Sequence, residues 1–151
     1  MAGLMIRPVL TLLLLFAAGI VMSSIAEAAP ADWHPVRCAI PTFEVEFERS
    51  QAVFIGKVIS IEKDADRKVF EFEIEKFWKG VEESKVVVTV SENPRFQAQF
   101  TKGGRFLVFA KADEEGGLFD GRCSRSKDLD RNPEGAEEDL DKLGPGKELE
   151  I

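Results

Sequence analysis

Apolar and polar residues alternate through the middle of the chain, a pattern that predicts a strand-rich domain. In Lys68–Trp78, apolar residues occupy every second position and glutamates lie between them, so that one face is apolar and the other acidic. Ala52–Ile61 is apolar and rich in β-branched residues, and its internal Gly56 is typical of a bulge or sharp bend. Three further strands are predicted at Lys85–Val90, Arg105–Ala110 and Leu118–Asp120.

The segments that flank the strands are less regular. Thr42–Arg49 alternates as a strand does, yet its phenylalanines are also spaced as on one face of a helix, so periodicity alone leaves both structures open. Pro133–Leu143 predicts a short acidic helix that the following Gly144 and Pro145 stop. Residues 145–151 are predicted to form a flexible tail.

The number and length of the predicted elements indicate the fold class. Five short strands, a bend glycine and flanking helices predict a mainly β fold, a closed or partly closed five-stranded barrel of the OB type. A two-sheet sandwich is the alternative, although five strands are few for that architecture.

The first part of the chain is predicted to be a secretory signal peptide at residues 1–28. Arg7 precedes the apolar run Val9–Met22, and Ala26-Glu27-Ala28 fits the small-residue pattern of a cleavage site. An uncleaved anchor is the alternative, and both place the rest of the chain outside the cytoplasm, secreted or periplasmic. Cleavage would leave a leader at residues 29–37, a domain at residues 38–144 and no stable membrane span.

Composition argues against several classes of function. The chain has a net charge of −7, and an acidic domain repels phosphate backbones, so nucleic-acid binding is not expected. Its single histidine, His34, lies in the leader, which leaves no credible nucleophile triad. The glutamates of Lys68–Trp78 are interpreted as the solvated face of a strand rather than as a catalytic acid and base. We therefore predict a non-enzymatic protein with no metal and no cofactor.

The two cysteines, Cys38 and Cys123, lie near the two ends of the strand-rich region. An exported chain folds in an oxidising compartment, so these thiols are predicted to form a disulfide. Two alternatives are a buried reduced pair and a metal site, but two cysteines and one histidine are a poor set of metal ligands.

Three segments are predicted to contact a partner: the leader, the connection Glu92–Lys102 and Cys123–Lys127, which belongs to the basic stretch around Cys123. Long connections that carry apolar residues either pack over a barrel mouth or bind a ligand. The basic stretch is either a contact for an anion or acidic partner, or a solvated strand end that nearby acidic residues balance. The candidate partner-binding residues are Trp33, Phe96, Phe100, Arg122 and Arg125.

Four blocks of sequence after the predicted signal peptide, together with the flanking cysteines, indicate a family by the order in which they occur. They are Ala52–Val58, Phe77–Gly80, Gly104–Ala110 and Cys123–Ser126. In this order they resemble the tissue inhibitors of metalloproteinases and netrin-like modules, over about Cys38–Leu143. The resemblance implies an OB-fold barrel with a terminal helix and with a helix before the first strand, which favours a helix over Thr42–Ser50.

The chain departs from this family at the positions that carry its best-known activity. Family members commonly begin with Cys-x-Cys, and the animal inhibitors place the amine and carbonyl of a mature N-terminal cysteine on the protease zinc. Here Val36 stands at the first cysteine position, Glu92–Lys102 contains no cysteine, and Cys38 lies inside the predicted mature chain. One disulfide of the family is therefore absent, and this chelation is not expected.

The resulting functional hypothesis is an exported, non-catalytic OB-fold module that binds through the loops of the barrel mouth. The expected partner is a protein, with an extracytoplasmic metalloprotease among the candidates, or an envelope component. Inhibition of a metalloprotease without N-terminal cysteine chelation is the alternative hypothesis.

Overall fold

The elements of the structure follow the apolar pattern of the sequence, with several strands longer than the pattern predicts. The structure is a computed structural model that describes residues 37–95 and 97–149. The predicted signal peptide and the leader up to residue 36, including Trp33, lie outside the described residues, as does Phe96. The elements are α1 (Phe43–Arg49), β1 (Ala52–Asp64), β2 (Arg67–Lys79), β3 (Lys85–Ser91), β4 (Arg105–Ala112), β5 (Leu118–Asp120), β6 (Lys127–Asp128) and α2 (Glu134–Leu143).

Strands β1 to β5 close into a barrel in the order β1–β2–β3–β5–β4. β1 also pairs antiparallel with β4, from Ala52 opposite Ala110 to Lys57 opposite Arg105, and this pairing closes the barrel. A small closed Greek-key barrel is the OB-type architecture, so the predicted five-stranded barrel is confirmed and the two-sheet sandwich is wrong. The short β6, which the sequence pattern does not predict, pairs with the start of β4.

Gly56 allows β1 to bend while it pairs along both of its edges. The register between β1 and β2 shifts between Ile55 and Gly56, as it does at a β-bulge. A Cβ atom at Gly56 would lie 3.1 Å from the carbonyl oxygen of Glu73 and 3.2 Å from the Cβ of Phe72, so a larger residue would require these neighbours to shift by a few tenths of an ångström. The bend that the sequence predicts at this glycine is confirmed.

Phenylalanine side chains fill the barrel interior. Phe100 enters it from the connection between β3 and β4. The centroid of its ring lies 5.3 Å from that of Phe70, 5.1 Å from that of Phe72 and 5.0 Å from that of Phe106, in edge-to-face arrangements. Such contacts contribute about 0.5–1.5 kcal/mol each beyond the area they bury. Part of this long connection therefore belongs to the core.

A second apolar layer joins the helices to the outer side of β1 and β4. Val53, Leu107 and Phe109 are fully buried there together with Ala136 of α2. These strands thus have apolar surroundings on both faces. For this reason their sequences are continuous apolar runs, whereas β2, with one face in solvent, alternates. Partly buried residues that complete the layer include Phe43, Phe47, Leu129, Leu140 and Leu143.

The segment before β1 is a helix, as the family resemblance implies. α1 begins after Thr42, whose hydroxyl oxygen accepts a hydrogen bond from the Val45 N–H at 3.4 Å, the arrangement of an N-cap. The rings of Phe43 and Phe47 stack with centroids 5.8 Å apart, and Phe43 also meets Phe109 edge-on. A helix of two turns is marginal alone, so its contact with β4 stabilises it.

The C-terminal helix is confirmed, and residues 145–149, the described part of the predicted flexible tail, contact the barrel. Gly144 ends α2 with a φ of 73°. Lys147 and Phe77 then exchange two backbone hydrogen bonds of 2.8 Å, and Leu149 packs against the barrel core. This segment is therefore held on β2 by the backbone hydrogen bonds of Lys147 and by the apolar contact of Leu149.

Cys38 and Cys123 form a disulfide, as predicted, with their Cα atoms 5.0 Å apart. The bond connects positions 85 residues apart and fastens the segment before α1 to the segment between β5 and β6. A cross-link of this span removes conformational entropy from the unfolded chain, which in the chain-entropy model stabilises the folded state by about 4–5 kcal/mol.

We predict that a Cys38→Ser/Cys123→Ser variant loses about 2–5 kcal/mol in free energy of unfolding, because its unfolded state regains that entropy. Thermal melts followed by circular dichroism, with and without reductant, measure the effect. The serine variant is the control, since reductant should leave its melting temperature unchanged. Coincident melts of the oxidised and reduced natural protein would contradict the prediction.

Candidate functional site

A groove of about 410 Å³ opens between residues 97–100 and residues 121–132. Core residues Ala98, Phe100 and Phe106 line its apolar part. The two segments overlap the connection Glu92–Lys102 and the basic stretch around Cys123, so the structure brings together two of the three segments predicted to contact a partner. The polar residues of the groove are Gln97, Gln99, Arg122, Ser124, Ser126, Lys127, Asp128, Arg131 and Asn132.

The polar wall of the groove is basic. Arg122 is exposed, and neither Arg122 nor Lys127 forms an ion pair with any residue that the structure describes. Arg131 lies 3.7 Å from Asp128 with 72% of its side chain exposed, and such a pair contributes little. In a chain of net charge −7, this wall is a local positive region that attracts anionic groups.

Phe100 lies mainly in the core, and it also lines the groove, so its predicted contact with a partner stays a prediction. Only 8% of its surface is exposed, because its ring fills the space between three other phenylalanines of the barrel. The predicted contacts of Trp33 and Phe96 fall outside the described residues and stay predictions. Among the aromatic candidates, therefore, Phe100 acts through packing, and it forms part of the groove floor.

Arg125 is bound within the protein, and its predicted contact with a partner stays a prediction. Its Nε donates a hydrogen bond to Asp139 Oδ1 at 3.0 Å, and its Nη1 donates to the Pro41 carbonyl at 3.1 Å. Only 16% of the Arg125 side chain and 1% of the Asp139 side chain are exposed. The hydrogen bonds to Asp139 raise the pKa of Arg125. This arginine holds α2 and the segment before α1 against the groove wall, and Arg122 is the candidate that the groove displays.

A second buried ion pair, between Glu46 and Lys111, joins α1 to β4. The Lys111 Nζ lies 2.8 Å from Glu46 Oε1, and the Glu46 side chain is 1% exposed. The same oxygen accepts a hydrogen bond from the Arg125 N–H at 3.2 Å. Removing one partner of such a pair costs about 3–5 kcal/mol, because the other charge stays buried. Sequence reasoning missed Glu46, although its position three residues after Phe43 places it on the apolar side of a helix.

Asp120, the last residue of β5, is buried beside the groove wall. It is 2% exposed, and its Oδ1 accepts a hydrogen bond from the Gly121 N–H at 2.8 Å. Its Oδ2 has no hydrogen-bond partner among the described residues. Burial raises the pKa of Asp120 to about 6, because desolvation disfavours the carboxylate. The nearby hydroxyls of Ser126 and Ser124 act in the opposite direction, although neither is bonded to Oδ2.

The glutamates of β2 lie on the surface and are partly ion-paired. Arg105 donates to both oxygens of Glu75, from Nε at 2.9 and 3.1 Å and from Nη2 at 2.6 Å. These hydrogen bonds lower the pKa of Glu75, which makes it a poor proton donor. Glu71 lies 3.5 Å from Lys85. Within residues 37–95 and 97–149, no three histidine, cysteine, aspartate or glutamate side chains are grouped as metal ligands are.

The sequence was compared with protein-family models and with curated proteins, and neither comparison found a match. The resemblance to tissue inhibitors of metalloproteinases and netrin-like modules therefore stays a prediction.

We predict that Asp120→Asn stabilises the protein at pH 7 but not below about pH 4. The pKa of Asp120 is raised from 3.8 to about 6 in the folded state, so the folded state binds more protons than the unfolded state in this window. The stability that this group contributes is complete below pH 3.8 and is lost as the pH rises through 6. An amide avoids that loss, which amounts to about 3 kcal/mol for a shift of two pKa units.

Denaturant unfolding of the natural protein and the Asp120→Asn variant at pH values from 4 to 7 measures this difference. The exposed Asp64→Asn variant is the matched control and should show no comparable gain. A difference between Asp120→Asn and the natural protein that does not change with pH would contradict the prediction.

Proposed function

We propose that this protein is an exported, non-catalytic OB-type module whose groove binds an acidic segment of a partner protein. The observation that carries the proposal is the presence of two cations without ion-pair partners, Arg122 and Lys127, on the wall of a groove with an apolar floor. An envelope component that bears anionic groups is the other class of partner that this chemistry fits.

The groove offers three kinds of contact to an acidic segment. The guanidinium of Arg122 can donate two parallel hydrogen bonds to one carboxylate. The side-chain amides of Gln97, Gln99 and Asn132 can both donate to and accept from a peptide backbone. The apolar part of the groove can bury one aliphatic or aromatic side chain, as the cores of binding sites commonly do.

The groove wall is held in place before any partner binds. Cys123 is fastened by the disulfide, Arg125 by Asp139, and the Ser126 Oγ accepts a hydrogen bond from the Phe109 N–H at 2.9 Å. These contacts restrain the backbone on the C-terminal side of Arg122. A wall that is already ordered loses little conformational entropy on binding, which favours affinity.

Export to an extracytoplasmic compartment is part of the proposal. Disulfides persist in oxidising compartments, and the Cys38–Cys123 bond is compatible with one. In the part of the chain that the structure describes, no helix is long and apolar enough to cross a membrane. The predicted signal peptide would supply the export route.

We predict that the mature protein binds a peptide rich in aspartate and glutamate, with an affinity that falls as salt is raised. Salt screens exposed charges over about 10 Å at 0.1 M. Arg122→Glu/Lys127→Glu should weaken binding at least about tenfold, because the wall then repels the peptide. Isothermal titration calorimetry at two salt concentrations measures both effects.

Arg49→Glu/Lys57→Glu is the matched control, since it makes the same change in net charge at exposed sites that do not line the groove. Equal losses in the two double variants would mean that binding is non-specific and would contradict the proposal. If an anionic envelope polysaccharide bound in place of the peptide, with the same dependence on Arg122 and Lys127, the partner of the groove would be an envelope component and not a protein.

A further inference from the structure

Strand β3 has one edge that is only half paired. On one side it pairs with β2 along its whole length, from Lys85 opposite Glu73 to Ser91 opposite Arg67. On the other side only Thr89 and Val90 pair, with the two last residues of β5. Along residues 85–88, this second edge of β3 has no strand partner among the described residues.

The open part of the edge presents unpaired backbone groups. The Ser84 carbonyl accepts a hydrogen bond from the Ile74 N–H at 2.9 Å on the β2 side. Hydrogen-bonded positions alternate along antiparallel strands, so the even-numbered residues of β3 direct their N–H and C=O groups toward β2. The odd-numbered residues direct theirs away, as Thr89 does where it meets β5. Lys85 and Val87 therefore offer two donors and two acceptors to an added strand.

Apolar side chains on the outer face lie next to this edge. Val87 is 50% exposed, and Phe119, which pairs with Thr89, is 38% exposed. An exposed strand edge flanked by apolar residues is a site where proteins add an extended segment. Lys85 stands at the start of the edge and bridges to Glu71 at 3.5 Å, so the edge also carries a charge of the kind that discourages unselective pairing.

A groove of about 380 Å³ beside the paired part of β3 is strongly acidic. The hairpin between β4 and β5 contributes Asp113, Glu114 and Glu115, and the turn between β1 and β2 contributes Asp66. The one cation of the groove, Arg67, lies 3.9 Å from Asp113 and so neutralises one of these four carboxylates in part. Charge complementarity therefore favours a basic occupant.

We propose that the open edge of β3 binds an extended, basic segment of a partner protein as an added strand. The segment pairs with the backbone of Lys85 and Val87, places an apolar side chain against Val87 and Phe119, and directs lysine or arginine side chains toward the acidic hairpin. This surface involves other residues than the basic groove and takes a partner of opposite charge, so the two proposals can fail separately.

Nuclear magnetic resonance titration of the mature protein tests the proposal with two short blocked peptides. In one peptide valine alternates with lysine, and in the other valine alternates with glutamate. The lysine peptide should shift the backbone amides of residues 85–89 and Phe119 and slow hydrogen exchange at the Lys85 and Val87 amides. Glu114→Lys/Glu115→Lys should weaken its binding at least about tenfold.

Glu82→Lys/Glu83→Lys is the control, because it reverses two exposed carboxylates in the connection between β2 and β3, outside the acidic groove. Equal binding of the glutamate peptide, or no protection at Lys85 and Val87, would overturn the proposal. Those two amides could instead become protected without peptide as the protein dimerises at higher concentration. This result would mean that the edge binds a second copy of the chain, and it would also overturn the proposal.

Discussion

Closure of the barrel requires β1 to pair with β2 and β4 at once, and the open edge of β3 lies where the short β5 completes this closure. The bulge at Gly56 lets β1 serve both neighbours. On the opposite side, β5 has three residues and pairs with β3 at only two positions. Strand β1 is therefore paired along both of its edges, whereas the short β5 leaves part of the β3 edge unpaired. The open edge of β3 lies beside β5, and the basic groove lies between residues 97–100 and residues 121–132.

The chain after β5 has little regular structure and is positioned by side chains instead. The disulfide at Cys123, the buried pair of Arg125 with Asp139, and the hydrogen bond from the Arg125 N–H to Glu46 act within three residues of sequence. Buried ion pairs add little net stability, because desolvation offsets their attraction. Each buried ion pair does, however, disfavour any arrangement that leaves one charge buried without its partner. The buried ion pairs therefore fix the position of the groove wall more than they stabilise the fold.

Sequence reasoning succeeded where a local pattern decides the structure and failed where a distant partner decides it. β2 was predictable, because a half-solvated strand has a period of two. Phe100 was not, because an apolar residue in a long connection looks the same whether it enters the core or contacts a ligand. Arg122 and Arg125 stand in one basic stretch, and what separates them is Asp139, a residue of α2 that the sequence does not place near either. The contact of Lys147 with Phe77 on β2 was unpredictable for the same reason.

The positive character of the groove depends on the turn around β6. The chain is acidic, and Asp128 and Asp130 lie close to Lys127 in sequence, so neutralisation of the wall would be the ordinary outcome. Instead the Asp128 Oδ1 accepts hydrogen bonds from the backbone N–H groups of Asp130 and Arg131, at 3.0 and 2.9 Å. The Asp130 Oδ2 accepts one from the Arg105 N–H at 2.9 Å. The turn thus directs these carboxylates to backbone N–H groups and to Arg131, and Arg122 and Lys127 keep no ion-pair partner among the described residues.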